Sequence, residues 1–432
     1  MVNNGFPAYM KNIIKNSPFD FVELEKHTFF QEGPGLRNWQ FTTTGIKVIN
    51  VTNMVDGTLD LSKTDRHIAS QEVEEKYRHF LIDEDDIVVA SSGNSWGKVS
   101  VVKKEHLPLL MNTSVIRFKT LNEEELDWSF LVQYLKSSIF IKQISMLITG
   151  SAQPNFGPSH LKKTYIPLPE IKEQRKIAAI LSSVDDAIEK TEAIIEKTEK
   201  VKYGLIQQLL TKGLNHTKYK LTDVGEIPAE WKVKTLKEIS KFIDYRGKTP
   251  KKTDSGIRLI TAKNIRKGYI SLEPEEYIAE DAYDAWMTRG IPEKGDILFT
   301  TEAPLGNVAQ LLLDEKVAFA QRVIIIQPDK SINKLFFKYL LMSDSIQKSI
   351  DIYSSGSTVK GIKSSNLKKI SVAIPGYKEQ EKIASIIFSF EEKVENEKRK
   401  LFQLNIIKKG LMQVLLTGRV RVKVDEHEVV TK

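Results

Sequence analysis

The chain has no cysteine among its 432 residues, which excludes disulfides and thiolate metal sites and agrees with a reducing compartment. Long apolar runs are missing as well. The longest aliphatic stretch, Val323 to Ile326, is far too short to cross a bilayer, and the opening residues (MVNNGFPAYMKNIIKNS) carry no apolar core of a secretory signal. The expectation is a cytoplasmic chain with no membrane partner. Signatures of catalysis are equally scarce. The seven histidines are scattered without the paired spacing of a metal site, and no glycine-rich dinucleotide fingerprint follows a strand. The Asn-Pro-Pro-aromatic tetrapeptide of amino-methyltransferases is absent. Gly93 to Lys98 (GNSWGK) imitates a phosphate loop, but it is one residue short and has Val99 where the metal-binding hydroxyl belongs. Asp296 with Asp314, Glu315 and Lys316 offers the residue types of a metal-dependent nuclease. Charged triplets are common in a chain that is 28% charged, so a surface turn is the plainer reading. No catalytic residue, metal ligand or cofactor site is assigned to this chain.

What the chain does have is a repeat. Pro169 to Thr211 aligns without a gap on Pro375 to Thr417, 206 residues later, with 17 of 43 positions identical. Each copy opens with proline, runs without another, and ends on Leu-Leu-Thr followed by Gly213 or Gly418, the start and stop signals of one long helix. Apolar residues inside the copies alternate at steps of four and three. In the first they are Ile177, Leu181, Val184, Ile188, Ile195, Leu205 and Leu209, with Thr191, Thr198 and Lys202 filling the gaps. In the second they are Ile383, Ile387, Phe390, Val394, Leu401, Leu404, Leu411 and Leu415, with Glu397 and Lys408 as exceptions. This is a heptad seam. Two such helices are expected to pack on each other, antiparallel because the repeat implies a pseudo-twofold axis.

The repeat extends upstream of the helices. Gly150-Ser151 and Leu161-Lys162-Lys163 match Gly356-Ser357 and Leu367-Lys368-Lys369 at the same offset. Gly45 to Leu61 matches Gly256 to Leu272, and Asp86-Ile87 with Gly97 matches Asp296-Ile297 with Gly306, at offsets of about 210. The chain is therefore two globular modules of one kind, each followed by a helix. Both read as mixed α/β (α+β). Strands are expected at Ile46 to Val51, Asp86 to Ala90, Lys98 to Val102 and Val115 to Lys119. Their counterparts are Arg258 to Ala262, Asp296 to Thr300, Val308 to Leu313 and Val323 to Gln327. Trp128 to Leu147 and Leu335 to Ile352 are expected as single amphipathic helices, and Lys212 to Ala229 as a polar connection. Between the matched landmarks the modules differ almost completely. A shared scaffold with divergent loops is what reading two different things with one geometry requires.

The net charge of +8 is modest, but its distribution is not even. Between Lys241 and Lys267 stand nine basic residues against only Asp244 and Asp254. Such a cluster neutralises phosphates and releases counterions; a solvated basic face is the alternative. Candidate DNA contacts in this second module are Tyr245, Arg246, Lys248, Lys251, Lys252, Lys263, Arg266 and Asn307. The first module is less charged, but Arg37, Asn38, Trp39 and Gln40 include side chains able to hydrogen-bond base edges bidentately. Asn94, Ser95 and Lys98 complete its candidates, and the alternative for the first loop is that Trp39 packs inward.

Together these features resemble the specificity subunit of a type I restriction-modification enzyme. The order module, helix, module, helix carries it, with KEQRKIA and KEQEKIA opening the helices, LLT and glycine closing them, Gly225 to Trp231 (GEIPAEW) starting the second module and Leu415 to Val422 (LLTGRVRV) near the end. The first module departs from the pattern, having Ser17 to Phe21 in place of an IPAEW-like opening. The resemblance implies target recognition domains at residues 1–168 and 214–374, the latter including the linker, and helices at 169–213 and 375–432 with the tail. It implies that each domain reads one half of an asymmetric bipartite site in double-stranded DNA, while the helices act as a ruler for an unread spacer of about one helical turn. It also implies two methyltransferase subunits docked on the helices and two translocase and restriction subunits. S-adenosylmethionine, ATP and Mg²⁺ would then belong to those partners. Two rivals from other classes are a DNA methyltransferase or nuclease in its own right and a homodimeric coiled-coil scaffold or repressor.

Overall fold

The computed structural model describes residues 10–11, 17–55, 57–148, 155–245, 249–320, 322–356 and 360–423. They form two compact units, Met1–Glu192 with Arg399–Lys432, and Ala193–Lys398. In the first unit Thr28–Glu32, Val115–Thr120, Ile87–Ala90 and Val99–Val101 make an antiparallel sheet in that order. Ile87–Ala90 is an unbroken apolar run because both its faces are covered. A second sheet sets Ile46–Ile49 parallel to Leu109–Met111, flanked by His67–Ile68 and Leu81–Ile82. Phe21–Glu23 pairs antiparallel with Tyr165–Pro167 and so ties the beginning of the module to its end, just before the first long helix.

The second unit repeats this topology. Ser240–Asp244, Val323–Pro328, Ile297–Thr300 and Val308–Gln310 form the antiparallel sheet. Ile257–Ile260 runs parallel to Val317–Phe319 beside Tyr277–Ile278, and Lys232–Thr235 with Ser371–Ile374 closes the module. The matched sequence landmarks are the turns that make this possible. Gly45 and Gly256 have φ of 125° and 128°, and a Cβ on either would stand 2.2 Å from a carbonyl oxygen, of Ile68 or Ile278. No other residue fits there. Asn53 and Asn264 each accept from a backbone amide three residues earlier, of Asn50 or Thr261, at 3.0 Å. Buried Asp86 and Asp296 do the same for the amides of Asp83 and Glu293 at 2.8 Å.

All eight expected strands are present, seven within a residue or two of their expected limits, while the one expected at Val308 to Leu313 ends three residues early at Gln310. The single helix expected at Trp128 to Leu147 is two, Trp128–Leu135 and Ser138–Leu147, because Ser137 turns extended and its hydroxyl caps the second by accepting from Phe140 N. Lys334–Met342 and Asp344–Tyr353 likewise replace one helix, broken at an extended Ser343. The connection expected at Lys212 to Ala229 contains a hairpin, Tyr219–Thr222 with Gly225–Pro228. Strands Thr28–Glu32 and Ser240–Asp244 were not expected at all.

The two long helices, Ile171–Lys212 and Tyr377–Leu415, are packed against each other. All twenty seam positions, including Thr191, Thr198, Lys202, Glu397 and Lys408, are buried or half-buried. In the first unit Ile177, Ala178 and Leu181 share a core with Met412, Leu415 and Leu416; in the second, Leu209 and Leu210 share one with Ile383 and Ile387. Their direction is antiparallel. Asp185 meets Lys408 at 2.6 Å in the first unit and Glu199 meets Lys398 at 3.0 Å in the second, so the partner's number falls as the helix advances. Each unit therefore contains the start of one helix and the end of the other.

The KEQ opening of each helix makes the junctions. Buried Gln174 accepts from Asp127 N and donates to the carbonyls of Glu125 and Pro169; Gln380 does the same with Asn333 N, Ser331 and Pro375. These bonds join each helix to its own module. The neighbouring carboxylates reach instead to the end of the other helix. Glu173 takes Arg421 Nε at 2.9 Å, a second guanidinium nitrogen at 2.7 Å and the amide of Val422. Glu379 takes the amide of Leu214 at 3.0 Å, His216 Nε2 at 2.8 Å and the Trp231 indole at 3.1 Å. Gly213 and Gly418, both left-handed, turn the chain out of the helix at these points.

Leu181 and Ile387 have no solvent exposure, so Leu181→Ala or Ile387→Ala is expected to cost about 2 to 5 kcal/mol in denaturant unfolding. A second expectation concerns pH. Burial pushes the Asp185 carboxyl up, but hydrogen bonds from Gln133 and Lys408 and the charges of Lys136 and Lys408 outweigh it and hold the group below its ordinary value of 3.8. A depressed folded-state value contributes stability above the ordinary value, and that contribution is lost as pH falls through the folded one. Asp185→Asn should therefore lower stability at neutral pH and flatten its decline below about pH 4 in urea titrations.

Candidate nucleic-acid interface

In the first module, five segments meet at one edge of the sheets. Gly33 donates to Val115 O, Ser91 to Ser114 O, Val51 to the Ser114 hydroxyl and Phe156 to Ser91 O, which gathers residues 33–35, 50–53, 91–97, 112–114 and 155–157. Ser92 bridges Asn155, and Trp96 packs edge-on against Phe156 at 6.4 Å. Asn94 and Lys98 are exposed on this loop and Ser95 is half-buried, on a short 3-10 turn, Gly93–Ser95, rather than a phosphate cradle.

The stretch Arg37 to Gln40 divides sharply. Arg37 and Asn38 are exposed, and Trp39 points outward with 79% of its surface open to solvent, so it does not pack inward. Gln40 is buried and fully engaged. Its oxygen accepts from Arg37 N at 2.8 Å, and its nitrogen donates to Glu72 and to the Tyr77 hydroxyl, each at 2.9 Å. No part of that amide is left for a base edge. Sequence reasoning also missed Arg66, exposed beside this turn with its guanidinium 5.0 Å above the Phe41 ring.

In the second module residues 301–306 occupy the place of 91–97. Glu302 bridges Gly361, Ile362 donates to Thr301 O, and Thr301 donates to Arg322 O. Lys251, Lys263, Arg266 and Lys267 are exposed, and Tyr269 is largely so. Lys252 is exposed but paired with Glu276 at 2.8 Å. Two candidates are part of the framework. Tyr245 is buried, donates to Gly290 O at 2.6 Å and stacks on Trp286; burial pushes its phenol up. Asn307 is buried, donating to Ile265 O at 2.8 Å. Arg246 and Lys248 lie outside the described residues, as do most of the glycine-containing tips at Gly150 to Asn155 and Ser355 to Lys360. A cleft of about 370 Å³ beside the 301–306 loop brings Lys267, Lys348 and Lys360 together with Asp344, Asp351 and Gln347. Lys360 ends the glycine-containing tip that the sequence already offers as a DNA contact, whereas Lys348 sits on a helix whose pattern reads as plain amphipathic, so nothing in the sequence singled it out.

The acidic groups weighed for metal chemistry are used otherwise. Asp296 accepts from Lys334 at 3.0 Å and Gln327 at 2.6 Å, Asp314 pairs with Lys294, and Glu315 with Arg258 at 2.8 Å. Among the described residues no cluster of His, Cys, Asp and Glu could hold a metal ion. No described helix is long and apolar enough to cross a membrane.

The sequence matches the family described as the type I restriction modification DNA specificity domain twice, over residues 31–200 and 228–405. It is 28% identical to the specificity subunit of the type I restriction enzyme MjaVIII of Methanocaldococcus jannaschii, over 93% of this chain and 98% of that one. It is 23% identical to the specificity subunit of EcoKI of Escherichia coli, over 82% of this chain and 76% of the relative. The fold is shared with the S subunit of a type I restriction-modification system from M. genitalium, with a TM-score of 0.58 at 21% identity over 93% of this chain and 96% of that one. With the same DNA specificity domain present in tandem along most of its length, the chain belongs to the specificity subunits of type I restriction-modification systems, the non-catalytic component of these enzymes.

Proposed function

We propose that this chain reads an asymmetric, bipartite site in double-stranded DNA, one half per module, and that its helix pair fixes the unread spacer. The observation that carries this reading is the division of labour inside each module. Gly45 and Gly256, Asn53 and Asn264, and Asp86 and Asp296 repeat the same turn and hydrogen-bond roles, while the exposed loops between them share almost nothing. Residues 1–168 and 214–374 are then the two readers, and 169–213 and 375–432 the ruler with its tail. Arg37, Asn38, Trp39, Asn94, Ser95 and Lys98 serve the first half-site. Lys251, Lys252, Lys263 and Arg266 serve the second, with Lys267, Lys348 and Lys360 added by the cleft. Gln40, Tyr245 and Asn307 act behind the surface.

Two methyltransferase subunits dock on the helices in this reading, and two restriction and translocase subunits join them. S-adenosylmethionine, ATP and Mg²⁺ reside on those partners, in the cytoplasm. Support comes from Val201 and Ile407, which occupy equivalent repeat positions outside the seam and are each 50% exposed. An exposed branched apolar residue repeated at equivalent sites suits two copies of one partner.

Removing a phosphate neutraliser and exchanging a reader should have different signatures. Lys251→Ala is expected to weaken all duplexes alike and to reduce the slope of log affinity against log salt by about one. Replacing residues 20–168, a block that keeps the closing strands Phe21–Glu23 and Tyr165–Pro167 together, with that of another family member should exchange one half of the methylated motif. The other half and the spacer should stay as they were; a change in both halves would refute independent reading.

A further inference from the structure

A tryptophan that is 79% exposed is an unusual thing to hold still, yet the turn that carries Trp39 is fixed from beneath. Asn38–Gln40 forms one 3-10 turn, closed by Gln40 N donating to Arg37 O at 3.0 Å. The buried Gln40 amide makes three further hydrogen bonds, to Arg37 N, Glu72 and Tyr77. Behind the turn, Thr42 N donates to His67 O at 2.9 Å, anchoring it to the strand His67–Ile68. The indole is thus presented on a rigid support, flanked by exposed Arg37 and Arg66. With the backbone of the turn fixed, only the two side-chain torsions of the indole remain to be ordered on binding, and the nearby guanidinium groups attract the phosphates that flank a base. Of the acidic groups near the turn, Glu72 is engaged with Gln40 and Lys76, and exposed Asp65 lies 3.9 Å from Lys47. The segment that replaces this loop in the second module, Asp244 to Ser255, has one aromatic residue, Tyr245, and it is buried, so no exposed aromatic stands there.

Resting on the DNA-reading role proposed above, we propose that Trp39 is a stacking wedge that inserts its indole against a base at a step the duplex opens, and so reads deformability rather than a hydrogen-bond pattern. Pyrimidine–purine steps unstack most readily and are the steps such a wedge selects. The first half-site therefore contains one, at a position where no side chain need contact a base edge.

The test uses the full chain with its methyltransferase, selecting from a pool of randomised duplexes. Wild-type protein should return a bipartite motif with a pyrimidine–purine step in the half assigned to the first module. Trp39→Ala should lose that step preference alone and bind the selected duplex about fivefold to a hundredfold more weakly. Trp39→Phe should retain the preference in part while reducing the quenching of tryptophan fluorescence that the wild type shows on adding the duplex, the other four tryptophans of the chain being unchanged. Because the side chain is solvent-exposed, thermal unfolding of both variants should match wild type. A motif that Trp39→Ala leaves unchanged, or quenching of undiminished size in Trp39→Phe, would overturn the wedge while leaving bipartite reading intact. Weaker association of Trp39→Ala with the methyltransferase, with its DNA preference unchanged, would assign the indole to a protein contact and overturn the wedge too. A wild-type protein that selects no motif would overturn both.

Discussion

Everything in this chain depends on two long helices that cannot remain alone. Each presents a seam of buried and half-buried residues, and each ends where a carboxylate from the start of the other is waiting, buried at Glu173 and half-buried at Glu379. Glu173 holds Arg421 and Val422, and Glu379 holds Leu214, His216 and Trp231. Removing the donors of buried Glu173 would leave a carboxylate uncompensated, which costs more than the loss of a surface pair. The carboxylates therefore act on register as well as stability, because a helix slipped by one heptad would leave both unpartnered. The spacing role proposed for the helix pair needs a defined length. The seam supplies cohesion and the two junctions supply the register.

The modules show how one scaffold carries two surfaces. Its invariants are backbone problems with a single solution: a left-handed glycine pressed on a carbonyl, an asparagine closing a turn, an aspartate accepting an amide. The loops face no such constraint. In the first module the outward side chains are Arg37, Asn38 and Trp39, and in the second they are mostly lysines and arginines. In the proposed reading the first surface suits contact with bases and the second is weighted toward phosphate.

The architecture was largely legible because its signals are periodic. Heptad spacing marked the seam down to its polar exceptions, and the repeat marked the glycine, asparagine and aspartate positions before their roles were visible. Strands Thr28–Glu32 and Ser240–Asp244 escaped because their stability comes from partners Val115–Thr120 and Val323–Pro328, distant in sequence, and not from their own pattern. The breaks at Ser137 and Ser343 escaped because the short polar runs Lys136-Ser137-Ser138 and Ser343-Asp344-Ser345 read as the polar side of one amphipathic helix until the extended backbone is seen. The candidate surface was legible only by residue type. Gln40, Tyr245 and Asn307 have the right chemistry for DNA, but burial has already used their hydrogen bonds, and no local pattern distinguishes a spent amide from a free one.

Sequencing with modified-base detection on DNA from cells carrying this chain and its methyltransferase tests the central claim most directly. It returns the motif, the spacer and the methylated positions together. Two different short half-sites, each with its methylated adenine and separated by a spacer of fixed length near one helical turn, are the expected result. A single contiguous motif, or half-sites whose separation varies from one genomic position to another, would contradict two readers held apart by a helical ruler.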